Sequence, residues 1–223
     1  MDIKKISEVI TIIKKNKYKA FLVGGASRDF LLSRNFDDVD IATNAPISFL
    51  KKTFKVENVE GESMGSIKIS YKNQIIEITK FRLEKYLEKS TYPKIEKFVD
   101  DPSEDAIRRD FTINAIYLDC STNQIIDPYD GLKDLFTFKI KFIGEPKERI
   151  KQDPTRILRG LRLAYKLNFE IEENTNNAFK ECFEEIKRLS KTRLNKEIEK
   201  MELELGKEKT ESILKLYNID KGE

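Results

Sequence analysis

Asp38 and Asp40 stand two residues apart in the stretch FLVGGASRDFLLSRNFDDVDIAT, Phe21 to Thr43. On a strand, residues at that spacing share one face. Like charges side by side repel and cost stability. A hard divalent ion such as Mg2+ takes oxygen ligands and would cancel that cost. Upstream, the apolar run Phe21-Leu22-Val23 meets Gly24-Gly25, and a helical pattern through Phe30, Leu31 and Leu32 follows. Glycines let a phosphate approach the backbone, and a helix start aims free N–H groups at it. A phosphate cradle beside a metal-holding acid pair suggests nucleotide transfer, with metal ions bridging triphosphate oxygens and activating an attacking hydroxyl.

Further residues add to this chemistry. Glu77, in QIIEITKFR, sits among apolar neighbours on a predicted strand and is a third candidate catalytic acid; a lone strand acid is otherwise a solvated edge residue. Arg108-Arg109-Asp110 offers two guanidiniums that could grip a triphosphate and a carboxylate that could take a ribose hydroxyl; the same residues could be plain surface charge. In Asp153-Pro154-Thr155-Arg156-Ile157-Leu158-Arg159-Gly160-Leu161-Arg162 the arginines recur every three residues. On a helical wheel they face outward, opposite Ile157, Leu158 and Leu161. Such a face is ordinarily just solvated. Yet Asp153 and Arg156 lie one turn apart, and a carboxylate only accepts while a guanidinium only donates. That pair matches the edge of cytosine or adenine, an amino donor beside a ring-nitrogen acceptor, and mismatches uracil and guanine.

Composition narrows the alternatives. The 223 residues contain no histidine, which removes Ser-His-Asp and Cys-His catalysis and every histidine-bearing zinc site. Acid–base work is left to carboxylates, lysine, tyrosine or metal-bound water. The charged fraction is 36% but the net charge is only +3, so bulk charge does not mark a nucleic-acid binder. The 39% apolar fraction, with fourteen Phe and eight Tyr, is enough for a sizeable core. Cys120 and Cys182 lack zinc-ligand spacing and read as reduced thiols of a cytoplasmic protein. No apolar run reaches membrane-spanning length, and the N-terminus reads as an amphipathic helix.

The elements that must position these groups follow from periodicity. Helices are expected over residues 3–14, 26–33 and 47–54, and strands over 18–23, 39–42 and 56–59. Residues 66–71 and 74–81 read as a hairpin turning at Lys72-Asn73. Residues 85–97 have no clear period and read as a mobile loop. A helix capped by Ser103 runs to Arg109. Residues 115–119 and 124–126 form a small β pair, 131–135 a short helix and 138–142 a strand. Beyond Glu145 everything reads helical: 146–150, 153–167, 175–189, 191–205 and a last piece to about Tyr217. The fold class is therefore α+β, a head with a mainly antiparallel sheet over residues 1–142 and an all-helical part over 143–223.

GGASRD with DDVD, RRDFTINA, DPYDGLKDL and QDPTRILRGLRLA occur in order, and KTRLNKEIEKM follows. Together they resemble the class II tRNA nucleotidyltransferases, the CCA-adding enzymes, and their bacterial poly(A) polymerase relatives, over about residues 18 to 200. The resemblance implies a palm-like head and a helical neck, with Mg2+ on Asp38 and Asp40. It implies nucleotide contacts by Gly24, Gly25, Ser27, Arg28, Arg109, Asp110 and Asn114. Asp153 and Arg156 match the amino-acid template for the incoming base, and Arg159 and Arg162 match further contacts on the same helix. The implied activity adds C, C and A to tRNA 3′ ends from CTP and ATP; an A-adding or poly(A)-type polymerase and a silent RNA-binding module are the alternatives. Four positions depart from the family pattern. Gln152 replaces a glutamate, Asp130 replaces the first glycine of DPxGG, and Lys89 and Thr91 replace an acid–arginine pair. The family's body and tail domains are not matched, so the chain reads as head and neck: a minimal enzyme, a truncated one, or one part of a split or homo-oligomeric assembly.

Overall fold

The computed structural model describes residues 2–88 and 90–219. Lys89 lies outside them. They group into two compact units. One contains the described residues up to Lys85 together with Lys94–Arg109 and Ile113–Leu132; the other contains Tyr86–Pro93, Asp110–Thr112 and the chain from Lys133 onward.

In chain order the first unit carries α1 (Ile3–Lys15), β1 (Ala20–Val23), α2 (Gly25–Leu31), β2 (Asp40–Thr43), α3 (Ile47–Thr53), β3 (Lys55–Asn58), β4 (Ser66–Tyr71), β5 (Gln74–Lys80) and most of the ribbon β6 (Arg82–Tyr86) and β7 (Pro93–Phe98). Then come α4 (Pro102–Ala106), β8 (Tyr117–Asp119), β9 (Gln124–Ile126) and the start of α5 (Gly131–Phe136). Seven strands form one sheet in the order β3-β4-β5-β2-β1-β8-β9. Every neighbouring pair is antiparallel except β2 with β5. This is the mainly antiparallel α+β head the sequence predicts.

The apolar spacing of α1 does what its period demands. Ile6, Val9, Ile10 and Ile13 are fully buried, in one core cluster with Leu22, Ile41, Ile67, Ile76 and Ile78. Asp2 caps the helix by accepting from the Lys4 amide at 2.9 Å. Lys72 and Asn73 both take positive φ, 49° and 64°, the conformation a two-residue hairpin turn requires.

The second unit holds β10 (Lys139–Ile140), α6 (Pro146–Gln152), α7 (Thr155–Leu167), β11 (Glu170–Ile171), α8 (Glu173–Glu181), α9 (Lys191–Leu205) and α10 (Lys207–Leu216). Alongside the helices it carries the short parallel pair β10–β11. Its core is aromatic. Phe111 stacks on Phe142 with centroids 4.9 Å apart, and Phe179 meets Phe142 edge-on at 5.6 Å. Gly160 lets α7 approach these rings: a Cβ there would lie 2.4 Å from Phe179 and 2.8 Å from Phe111.

Several local expectations are corrected. Residues 85–97 are not a structureless loop, because β6 and β7 pair as a two-stranded ribbon; both strands are mostly polar, so no apolar alternation announces them. The helix cap is Asp101, which accepts from the Ser103 amide at 2.9 Å, with Pro102 in the first turn, and the helix ends at Ala106. The helix expected over 175–189 breaks after Glu181 into a 3-10 segment, Phe183–Arg188. The strand expected over 138–142 shrinks to Lys139–Ile140. Asp130 takes φ of +56°, the left-handed region where glycine is at ease and aspartate is tolerated. The backbone conformation at the position matching a family glycine is therefore left-handed here. Among the described residues no helix is long and apolar enough to cross a membrane.

Candidate functional site

In the first unit, the register of the central strands gathers the acids. Asp40 opens β2, opposite Val23 on β1 and beside Glu77 on β5. Asp38 lies just before the strand and is exposed, Asp40 is half-buried, and Val39 between them is buried in the core. The two aspartates are thus separated by a residue that faces inward. Burial, then the charges of Glu77 and Asp38, push the Asp40 carboxyl up to about 6, against the pull of Arg109 and Arg108. Glu77 accepts from the Ser66 hydroxyl at 2.6 Å, and Lys68 approaches it at 3.9 Å.

Gly24 bends the chain out of β1 at φ of +75° and ψ of −140°, a region open essentially to glycine alone. A Cβ there would stand 3.2 Å from Asp40 Oδ2 and 3.9 Å from Arg109 Nη1. The carboxylate and the guanidinium therefore converge on the glycine. Gly25 begins α2, and a Cβ there would only touch Arg28 at ordinary distance, 3.5 Å. Ser27 is buried and its hydroxyl donates to the carbonyls of Ile116 at 2.9 Å and Gly24 at 3.1 Å. Arg28 is also buried: it forks onto Asp29 at 2.8 and 2.9 Å and donates to Asn114 Oδ1 at 2.8 Å. Ser27, Arg28 and Asn114 thus brace the loop that carries the glycines.

Among the described residues no group of three or more His, Cys, Asp or Glu side chains is gathered for a metal ion. A Mg2+ ion characteristically takes one or two protein carboxylates and completes its shell with water and substrate phosphates. Hard oxygen donors gathered where burial, and then the neighbouring acids, raise the Asp40 carboxyl fit such an ion.

A residue behind the arginines goes unnoticed in the sequence pattern. Asp105 on α4 is completely buried, and it ion-pairs with Arg108 at 2.8 Å and with Arg109 at 3.2 Å. The signal is there to be read: Asp105 precedes the two arginines by three and four residues, the spacing of neighbours on a helix. Burial raises the Asp105 carboxyl, but Arg108 and Arg109 outweigh it and bring it down from 3.8 to about 2. A depressed carboxylate stabilises the fold at pH above its unfolded value and loses that contribution as pH falls through the folded value. The interaction is expected to contribute on the order of 2 kcal/mol near neutrality, lost between about pH 4 and about pH 2. Urea midpoints measured at about pH 5 and about pH 3 should fall more steeply for the natural chain than for Asp105→Asn. Parallel pH dependences would contradict the assignment.

In the second unit, α7 presents its arginines differently from the wheel. Arg156 does not face outward; at 1% exposure it is among the largest fully buried side chains. Its Nε donates to Asp110 at 2.7 Å, Nη1 to the Arg149 carbonyl at 2.6 Å and to Gln152 at 3.1 Å, and Nη2 to the Tyr86 hydroxyl at 3.1 Å. A wheel shows only direction around one axis, and neighbouring segments bury this side too. Gln152 still orients Arg156, as an acceptor without charge, and the charge comes from Asp110. Arg159 bridges Asp110 at 2.9 Å and Asp153 at 3.2 Å. Burial raises the Asp110 carboxyl, but Arg159 and Arg156 hold it below the usual range.

Asp153 is 4% exposed. It accepts from the amide and hydroxyl of Thr155 at 3.1 and 2.7 Å and from Arg193 at 3.0 Å. Arg193 in turn donates to the carbonyl and hydroxyl of Thr91 at 2.9 and 2.7 Å and lies 4.3 Å over the Tyr92 ring. Arg162 donates to Glu204 at 2.9 Å. The candidate residues thus form two sets: Gly24, Gly25, Ser27, Arg28, Asp38, Asp40, Glu77, Arg109 and Asn114 in the first unit, and Asp110, Asp153, Arg156, Arg159 and Arg162 in the second.

A central strand that opens at Asp40, with Asp38 just before it, beside a glycine turn that Arg109 approaches, is the architecture of a nucleotidyltransferase head. Residues 20–141 match the poly A polymerase head domain, and the chain belongs to that family. A CCA-adding enzyme of Enterococcus faecalis is 39% identical over 207 residues, covering 93% of this chain and 51% of the relative. The crystal structure of the Bacillus stearothermophilus CCA-adding enzyme in complex with CTP superposes with a TM-score of 0.84 at 30% identity, over 96% of this chain and 52% of that one. A CCA-adding enzyme in complex with ATP gives 0.79 at 26% identity, over 98% and 51%. The chain spans about half the length of the curated relatives it matches. Nucleotidyltransferases of this kind generally use a divalent metal.

Proposed function

We propose that this protein carries the nucleotide-transfer chemistry of a template-independent tRNA nucleotidyltransferase, adding C, C and A to tRNA 3′ ends. The tRNA 3′-hydroxyl attacks the α-phosphorus of CTP or ATP, a new phosphodiester bond forms, the bond to the β-phosphate oxygen breaks, and pyrophosphate leaves. Mg2+ held by Asp38 and Asp40 would neutralise phosphate charge and lower the pKa of the attacking hydroxyl. Glu77, beside Asp40, assists in receiving that hydroxyl. Gly24 and Gly25 leave room for phosphate against the backbone, and Arg109 meets its charge. In the second unit Asp153 and Arg156 read the base, Asp110 takes the ribose, and Arg159 and Arg162 steady the nucleotide. Because Asp153 and Arg156 already bond to protein groups, a base edge would exchange with some of those partners, and only one of matching polarity would restore the lost bonds. Such an enzyme works where CTP, ATP and tRNA are found, in the cytoplasm.

The observation that carries this reading is the convergence of Asp40 and Arg109 on Gly24 in a chain of the poly A polymerase head family. The test is incubation with tRNA lacking its 3′ CCA, supplying CTP, ATP or both, and reading product lengths on a gel. Two cytidines with CTP alone, and a terminal adenosine only when both are supplied, is the expected pattern. Adenosine added to ends that already carry CC, without cytidine addition, would mark an A-adding enzyme, and a long ladder a poly(A)-type one. No extension under any condition would mark a silent binding module.

A further inference from the structure

Asp105 does more than neutralise charge. Its Oδ1 accepts from the Arg82 amide at 3.0 Å and from Arg108 Nε at 2.8 Å. Its Oδ2 accepts from the Tyr117 hydroxyl at 2.7 Å and from Arg109 Nη2 at 3.2 Å. The Tyr117 hydroxyl in turn accepts from Arg109 Nε at 2.9 Å. Arg109, Tyr117 and Asp105 therefore close a ring of hydrogen bonds. A guanidinium held at two of its nitrogens by two different groups has its plane fixed, whereas a single contact would leave it free to pivot.

The groups that hold it are themselves buried and packed. The Tyr117 ring is fully buried, with Phe21 and Phe81 against it edge-on at 6.2 Å each, and the Arg109 guanidinium lies 5.2 Å from its centroid. Asp105 is fully buried as well. Burying ions of this kind is a poor way to gain stability, since a well-packed apolar group of similar volume often serves as well. What the ring does accomplish is to fix one edge of Arg109, Nη1, near Gly24 and Asp40.

We propose that Asp105 and Tyr117 are positioning residues that hold Arg109 in the orientation that binds the nucleotide phosphates. The inference rests on the reading of Arg109 as a nucleotide contact. It differs from a purely structural role in one measurable way: the two residues act through Arg109, so their effect requires Arg109 to be present.

The test is a double-mutant cycle on the full chain, measuring the dissociation constants of ATP and CTP with Mg2+ by titration. Asp105→Asn and Tyr117→Phe should each weaken both nucleotides by about tenfold, to similar extents for ATP and CTP because the phosphates are common to both. In an Arg109→Ala background the same substitutions should change neither constant further. Penalties that persist undiminished without Arg109 would overturn the inference, and so would unchanged affinity in both single variants. Arg109→Ala alone leaving both affinities intact would remove the underlying reading of that residue, and the inference with it. If Asp105→Asn fails to fold, Tyr117→Phe, which deletes a single hydroxyl, carries the comparison.

Discussion

Asp40→Asn should abolish nucleotide transfer while leaving the protein folded. The substitution keeps the volume and one oxygen but removes the charge that burial and two neighbouring acids already oppose. Folding therefore loses little: a neutral amide is cheaper to desolvate than a repelled carboxylate. Catalysis loses much, because a partly desolvated, preorganised charge is worth far more at a developing transition state than in water, and removing one such contact costs on the order of 10³-fold. Labelled CMP incorporation into tRNA ends measures the rate, and thermal melting checks the fold. Turnover within a few-fold of the natural chain would end the assignment of Asp40 to the reacting centre. Asp38, exposed and two residues before the start of the strand, offers a useful contrast. Its replacement should alter the melting temperature even less.

The second large effect falls on stability. Arg156→Ala should destabilise the second unit by about 3–5 kcal/mol, the range for removing one partner of a buried ion pair. The substitution strips Asp110 of its 2.7 Å partner and leaves the Gln152 and Tyr86 acceptors and the Arg149 carbonyl without the donor they share. It also opens a cavity where one of the largest fully buried side chains stood. For a chain of this size the melting temperature should fall by about 10 °C. Arg156→Lys keeps the charge but loses the planar fork, so it should fall between the two. A melt for Arg156→Ala within a degree or two of the natural chain would show that the side chain is not buried and bonded in this way.

Residues whose local period matches their burial are legible in the amino-acid order alone. The isoleucines of α1, the hairpin turning at Lys72-Asn73 and the strand carrying Asp40 follow from patterning and turn chemistry. Gly24 stands out in the sequence for its conformational freedom and the room it leaves a phosphate; the fold adds a protein reason, the approach of Asp40 and Arg109. The ribbon from Arg82 to Phe98 is hidden because its strands are polar, and their pairing partners are invisible to a one-dimensional window.

By itself the sequence determined the class of chemistry. An acid pair at strand spacing, glycines before a helix, two arginine clusters and no histidine leave metal-assisted nucleotide transfer as the simplest use of these side chains. Tertiary structure alone decided which charges face one another. It set the Tyr117 hydroxyl against Arg109, and it sent Arg156 to Asp110 forty-six positions away in sequence. Residue type and spacing record what a side chain can do. Its partner depends on which distant backbone segments the core brings alongside, and burial makes that choice decisive because an unpaired ion cannot be sustained there.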